Sequence, residues 1–405
     1  MKQKKSIIIY TFIISSILVF MSIDIVSAST FKEVINANVG HYPSTNLNIN
    51  FQDVEISGNY VYISDSDLAG LRVLSLSDPT NPTLSASENL SKSLSYEIEL
   101  GNDIAYIRSA ENQDYDIEYF DISTPTSPVY KGLLELNQAR GFDALGPTLF
   151  VCNGTDVISY NFTDINNPVE LDRFNIGDYG QSLAIFNNYL YICTTGNILN
   201  IINATDPSSL SSVSSLDLGD FYAESYLVDG DILFISGLDS TENQQPDIVH
   251  RAHIKSIDIS NKSEPSQLSD IFVDGINAVG LTLHNNKLFT GACAEGIKIV
   301  DITDPTTLNA YAYYDEYQEI YCGGKDYALY PKLYVDGTLG NLLLFVSKNC
   351  GFNIISIDNL EFEISIPGYD IFFLFLSTIS SIYLGYRKFR KDLRFCGDCF
   401  ASLAM

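Results

Sequence analysis

The feature that most limits what this chain can become is a repeat. An aromatic residue recurs in one short sequence context at Tyr62, Tyr106, Phe150, Tyr191, Phe234, Phe289 and Phe345. The first four intervals are 41 to 44 residues and the last two are 55 and 56, so two insertions interrupt an otherwise even array. Units of this size cannot bury their own apolar faces and must stack on neighbours to make a core.

One copy contains four short runs: Phe51–Ser57, Tyr60–Ser64, Gly70–Ser77 ahead of Asp78-Pro79, and Pro82–Ala86. Apolar and polar residues alternate and Gly, Asn, Asp and Pro bound the runs, which is the pattern of strands rather than helices. Two-residue Gly/Asn connections such as Gly58-Asn59 suit tight hairpins. Four short antiparallel strands repeated seven times over residues 51–358 predict an all-β, seven-bladed propeller. The last copy stops after Ile354–Asp358 without a well-marked fourth strand. Residues 31–50 then hold a closing strand and lead-in, with Phe31 to Asn38 expected to pair with the last copy and remove an exposed edge. The predicted propeller domain is 29–366.

The third run of the sixth copy, Ile299-Val300-Asp301-Ile302 before Asp304-Pro305, resembles the LVIVD repeat, which is named for that strand. Leu74–Leu76, Phe120–Ile122 and Ile257–Ile259 match it less fully, and copies three, four and seven depart from it with Asn161, Asn203 and Ser356 in place of Asp. The resemblance implies a secreted or surface propeller and brings no catalytic motif. The chain has no Trp, which disfavours a WD-repeat assignment.

The two ends lie outside the repeats. Lys2, Lys4 and Lys5 precede an apolar run from Ile7 to about Ile23 and then Val26-Ser27-Ala28, the layout of a signal helix over residues 1–28 cleaved after Ala28; retained as an anchor it would still export the propeller. Residues 367–386 are long and apolar enough for one transmembrane helix, and Arg387, Lys388, Arg390, Lys391 and Arg394 hold the tail 387–405 in the cytoplasm. Pro367-Gly368-Tyr369, the apolar span and the basic tail together resemble the tripartite anchoring signals of archaeal surface proteins, which usually have Phe where this chain has Tyr369. That resemblance implies exchange of the helix for a lipid, and anchoring by the retained helix is the alternative. Either way the propeller is expected outside the cell membrane.

With 23 basic and 50 acidic residues the net charge is -27, and nucleic acid is excluded as a partner because phosphate recognition needs a basic footprint. An acidic surface serves solubility or tolerance of salt, or recruits cations or a basic partner. No nucleophile elbow, phosphate loop or HExxH pattern is present. The repeated Asp121, Asp258 and Asp301 precede turns and read as turn-forming residues. His250 and His253 are the one candidate metal pair, but an odd spacing on a strand divides them between faces. No cofactor is indicated, calcium at central carboxylates being the one considered.

Five cysteines lie in the exported part. Cys322 with Cys350 is the preferred bridge, Cys293 competes for Cys322, and buried thiols are the alternative. Asn89, Asn153, Asn161, Asn203 and Asn261 each begin a glycosylation sequon. The two insertions, around 238–250 and 313–332, both join loop types that emerge on one face of a propeller. The second is rich in Tyr313, Tyr314, Tyr317, Tyr321, Tyr327 and Tyr330 with Asp315, Glu316 and Glu319, a composition suited to binding a protein, a glycan or a surface-layer component. The expected function is therefore a membrane-tethered binding or scaffold module. An extracellular hydrolase or lyase using carboxylates at the central funnel is the alternative.

Overall fold

Seven sheets of antiparallel strands follow one another along the chain, each opening with a strand next to a common axis. The computed structural model describes residues 32–35, 38–43, 50–66, 70–239, 251–273, 275, 277–293, 296–314, 328–347, 351–358 and 361–363. The inner strands of blades one to seven are Phe51–Ser57, Leu94–Gly101, Ala139–Leu145, Gly180–Phe186, Phe221–Asp229, Val279–His284 and Ala328–Asp336. Each packs against the inner strand of the next blade, and that of blade seven packs against that of blade one, so the ring closes. The fold is an all-β, seven-bladed propeller, and no helix occurs among the described residues.

Local chemistry makes the strands. The hairpins between first and second strands turn on Asn102-Asp103, Asn187-Asn188 and Asn285-Asn286, each residue with φ between 49° and 62°. Asn and Asp tolerate this left-handed region, and two such residues match the twist of the flanking strands. Farther out, Asp121 Oδ1 accepts from Ser123 N at 3.1 Å and Asp301 Oδ1 from Thr303 N at 2.9 Å, which fixes the turn into each fourth strand. Asn161 and Asn203 present the same side-chain oxygen to Thr163 N at 2.8 Å and Thr205 N at 2.9 Å. The change from Asp to Asn in those copies keeps the turn because both residues offer the same acceptor.

Among the described residues there is no single central core. Seven apolar layers lie between neighbouring blades, one for each adjacent pair including seven and one. The repeated aromatic is the anchor of these layers: Tyr62, Tyr106, Phe150, Tyr191, Phe234 and Phe289 each face the following blade. Burying a side chain of this size is worth about 1.5–3 kcal/mol. In blade seven the sequence reading is off by one residue. Leu344 pairs with Ile354 and faces blade one, whereas Phe345 faces back to blade six against Tyr314, with ring centroids 6.1 Å apart. Alternation puts adjacent residues on opposite faces, so a one-residue slip exchanges the layers.

The ring is closed by an N-terminal strand, but not the one expected. Asn38–Pro43 pairs antiparallel with Gly351–Ser356 as the outer strand of blade seven. Val39 and Tyr42 pack into the layer between blades seven and one, and His41 Nδ1 lies 3.0 Å from Asn353 Oδ1. Lys32–Ile35, in the segment expected to close the ring, instead joins Glu361–Glu363 beyond the outer strand of blade six, giving a six-stranded sheet. Val39 and Tyr42 supply apolar side chains to that layer, which favours Asn38–Pro43 as the outer strand. No helix among the described residues is long and apolar enough to cross a membrane, and the expected signal helix, C-terminal span and basic tail lie outside those residues.

Candidate functional site

Every inner strand slips register once near its start. The breaks fall at Phe51/Asp53, Ser95/Ile98, Ala139/Phe142, Gly180/Ser182, Ala223/Ser225, Val279/Thr282 and Leu329/Lys332. A bulge re-aims side chains that plain alternation would send elsewhere. Glu97, Arg140, Gln181, Glu224 and Tyr330, all in these bulges, line a cavity of about 500 Å³ along the axis. A smaller cavity of about 260 Å³ shares Glu97, Arg108, Glu224 and Tyr330 and adds Tyr96 and Asn277. Gly280, with φ 71°, lets the strands meet here, since a Cβ on it would lie 2.5 Å from Tyr330 Cα.

The polar groups of this mouth are unequally satisfied. Arg108, from the second strand of blade two, donates from Nη2 to Glu97 Oε1 at 3.0 Å and lies 5.1 Å from the centre of the Tyr96 ring. Asn277 Nδ2 donates to Glu224 Oε1 at 3.0 Å, yet burial pushes the Glu224 carboxyl up to about 7, with Glu97 adding to the rise. Arg140 is exposed in the cavity and no carboxylate among the described residues forms an ion pair with it. Gln181 is 7 % exposed, and its Oε1 and the Oδ1 of Asn277 have no hydrogen-bond partner.

One step along the channel lies a second ring. Glu55, Glu99, Asp143, Ala184, Leu227, Thr282 and Lys332 occupy equivalent positions, each paired with the residue that anchors an interblade layer. Three consecutive blades contribute carboxylates and the next three contribute none. Lys332 pairs with Glu55, and the surrounding carboxylates hold its ammonium above its usual range despite burial. Burial pushes the Asp143 carboxyl up to about 6 and that of Glu99 well above its ordinary value. Asp53 is buried and also raised, although its oxygens accept from Val54 N at 2.7 Å and Ile98 N at 3.1 Å. Among the described residues no group of three or more His, Cys, Asp or Glu is arranged to hold a metal ion.

The structure divides the residues singled out from sequence. Tyr330 lines the cavity. Tyr314 is fully buried in the layer between blades six and seven, and Tyr313 is half-buried with Lys298 Nζ 4.9 Å from its ring centre. Asp315, Glu316, Tyr317, Glu319, Tyr321 and Tyr327 lie outside the described residues, as do Cys322, Cys350 and His250. Cys293 is buried and lines the smaller cavity. Cys152 and Cys193 are free thiols whose burial raises them above the ordinary range. His253 Nδ1 is 2.9 Å from Asp270 Oδ1. Asn89 and Asn261 are exposed, whereas Asn153, Asn161 and Asn203 are half-buried. Sequence reasoning passed over Arg140, Glu97 and Glu224; their signal was a polar residue breaking the alternation two or three positions before Glu99, Asp143 and Leu227.

The mouth and the points where the insertions join the strands share one end of the ring. Asp239, where the blade-five insertion begins, pairs with Phe221 at the start of its inner strand, and Ala328, which follows the second insertion, starts the inner strand of blade seven.

The LVIVD repeat family matches residues 50–89 and 177–217, which are blades one and four. Blade four is matched although Asn203 stands where the motif has Asp, in keeping with the turn geometry above. No curated protein matches the chain in sequence. Among solved structures, the chain is similar to the Neurospora crassa Pan2 WD40 domain at 10% identity, covering 82% of this chain and 99% of that one with a TM-score of 0.58. It is also similar to a protein from Lactobacillus plantarum at 11% identity, covering 78% and 94% with a TM-score of 0.56. A functionally unknown protein from Desulfotomaculum acetoxidans gives 11% identity, 70% and 95% coverage and a TM-score of 0.55. At such identities these likenesses speak to the fold alone. The chain is a seven-bladed β-propeller that carries LVIVD repeats.

Proposed function

We propose that this protein is an exported, membrane-tethered binding module whose ligand enters the central channel at the mouth formed by the seven bulges. The observation that carries this reading is the cavity of about 500 Å³ lined by Glu97, Arg140, Gln181, Glu224 and Tyr330. Its size is that of a small-ligand site, and its polar groups converge from five blades. Export and tethering rest on the basic and apolar ends of the sequence. The two insertions, joined at the same end of the ring, would frame the mouth and extend contact to a protein, glycan or surface-layer partner.

The test is a ligand screen with the full chain in detergent, repeated with Leu227→Trp, which places an indole where an aliphatic side chain lines the channel. A captured ligand should be lost in the variant while thermal unfolding stays close to that of the original. Ligand capture that survives both Leu227→Trp and deletion of the second insertion would refute the site.

One observation favours a second reading, a carboxylate-based hydrolase or lyase. Glu97 and Glu224 line one cavity, where Arg108 donates to Glu97 while burial pushes the Glu224 carboxyl up to about 7, so a carboxyl held near neutrality lies beside a second, ion-paired one. Turnover of a polysaccharide that vanishes in Glu224→Gln would put this reading first.

A further inference from the structure

We infer that the channel mouth takes a hydroxyl-rich carboxylate, a uronate sugar, with Arg140 gripping the carboxylate. The inference rests on the reading of the mouth as a binding site and names its ligand. In a chain with 50 acidic and 23 basic residues, an arginine lacking an acidic partner is out of keeping with its surroundings. Arg140 is exposed inside the cavity and unpaired among the described residues, whereas neighbouring Arg108 is already engaged by Glu97. A free guanidinium presents a planar fork of donors that fits a carboxylate through two parallel hydrogen bonds.

The rest of the lining is rich in acceptors for hydroxyl donors, among them the carboxyls of Asp53, Glu97, Glu99, Asp143 and Glu224, so a ligand with one carboxylate and several hydroxyls fits it better than a polyanion. Gln181 lines the larger cavity and Asn277 the smaller, and their buried side-chain oxygens have no donor, which is costly. Tyr222 and Tyr330 add ring surface with hydroxyl tips, the form in which an aromatic residue can meet both the apolar face and the polar edge of a ligand. A sugar hydroxyl both donates and accepts, so a uronate ring meets the polar wall of the larger cavity at Gln181 while its carboxylate meets Arg140. A neutral sugar leaves the guanidinium unanswered, and a simple carboxylate leaves the Gln181 amide oxygen unanswered.

Calorimetry on the full chain in detergent tests this with sodium glucuronate, glucose, sodium acetate and a glucuronate trimer. Glucuronate should bind at least tenfold more tightly than glucose or acetate, and Arg140→Gln should weaken glucuronate binding at least tenfold. Arg140→Lys keeps the charge but not the fork and should fall between. A trimer tighter than the monomer identifies the terminal residue of a glycan as the source, and equal affinity identifies the free sugar. Glucose binding as well as glucuronate, no binding of glucuronate, or indifference to Arg140→Gln overturns the inference. Should one of those results accompany a different ligand that Leu227→Trp excludes, the mouth remains a binding site and the uronate assignment alone fails.

Discussion

The carboxylate of Asp53 in blade one accepts the backbone N–H of Ile98 in blade two at 3.1 Å. Asp143 repeats the link two blades on, accepting from Ile185 N at 2.8 Å. These bonds tie neighbouring inner strands, which share no continuous ladder, and they are made by acidic residues facing the channel. The carboxylates that shape the channel therefore also hold the ring together.

Asp53→Ala leaves the N–H groups of Val54 and Ile98 without acceptors in a buried place. The expected cost is about 1–3 kcal/mol in urea unfolding. Asp53→Asn keeps an acceptor and removes the buried charge, so it should cost less. Equal losses for the two variants would assign the effect to shape rather than to hydrogen bonding.

Deleting residues 38–43 removes the closing strand and the packing of Val39 and Tyr42. A loss of roughly 3 kcal/mol or more is expected from two such side chains and an opened edge. Hydrogen exchange should become fast along Gly351–Ser356, the strand left at the edge, while the inner strand of blade four keeps its protection.

The tight turns are sensitive to side-chain shape. Asn187 has φ 49°, and Asn187→Val should cost about 1–2 kcal/mol because a β-branched residue resists the left-handed region. Asn187→Gly should stay within a few tenths of a kcal/mol. Thermal unfolding of the two variants separates backbone conformation from loss of the amide.

Stability should fall as pH rises from about 4 to 7. Folded Glu224 and Asp143 hold their protons up to about 7 and about 6, above their unfolded values, so the native state binds more protons than the unfolded state in this window. Their stabilising contribution is complete at lower pH and is lost as pH rises through the folded values. Glu224→Gln should flatten the slope by roughly 1–2 kcal/mol between those limits, taking about 1.4 kcal/mol per pH unit and allowing for screening in the channel. The turn residues Asp121 and Asp301 act oppositely: their hydrogen bonds hold them below the usual range, and the stability they give is lost as pH falls through the folded values. Denaturant midpoints across pH 3 to 8 check both limbs.

The architecture was legible because its cause is local and repeated. Tyr62 and its counterparts, the Asn turns and the Asp-Pro corners each carry their structural role within a few residues. Misreadings arose where the pattern loses its phase. Leu342–Val346 is apolar throughout, so nothing in that run distinguishes Leu344 from Phe345, and only pairing with Ile354 decides. Arg140 stands in Ala139-Arg140-Gly141, where the bulge breaks alternation, and a reading by period two cannot tell which way it points. The convergence of Arg140, Glu97 and Glu224 depends on ring closure across blades two, three and five, which no local window contains. Tyr314 adjoins the second insertion in sequence and shares its Tyr-rich composition, yet its ring belongs to the layer between blades six and seven.

Hydrogen exchange of the full chain with and without its captured ligand tests the binding site most directly. The account predicts added protection at residues 140–142, 181–183, 224–226 and 280–281, at the bulges of four neighbouring inner strands. Protection confined to the outer strands or to the Asp-Pro corners would contradict it.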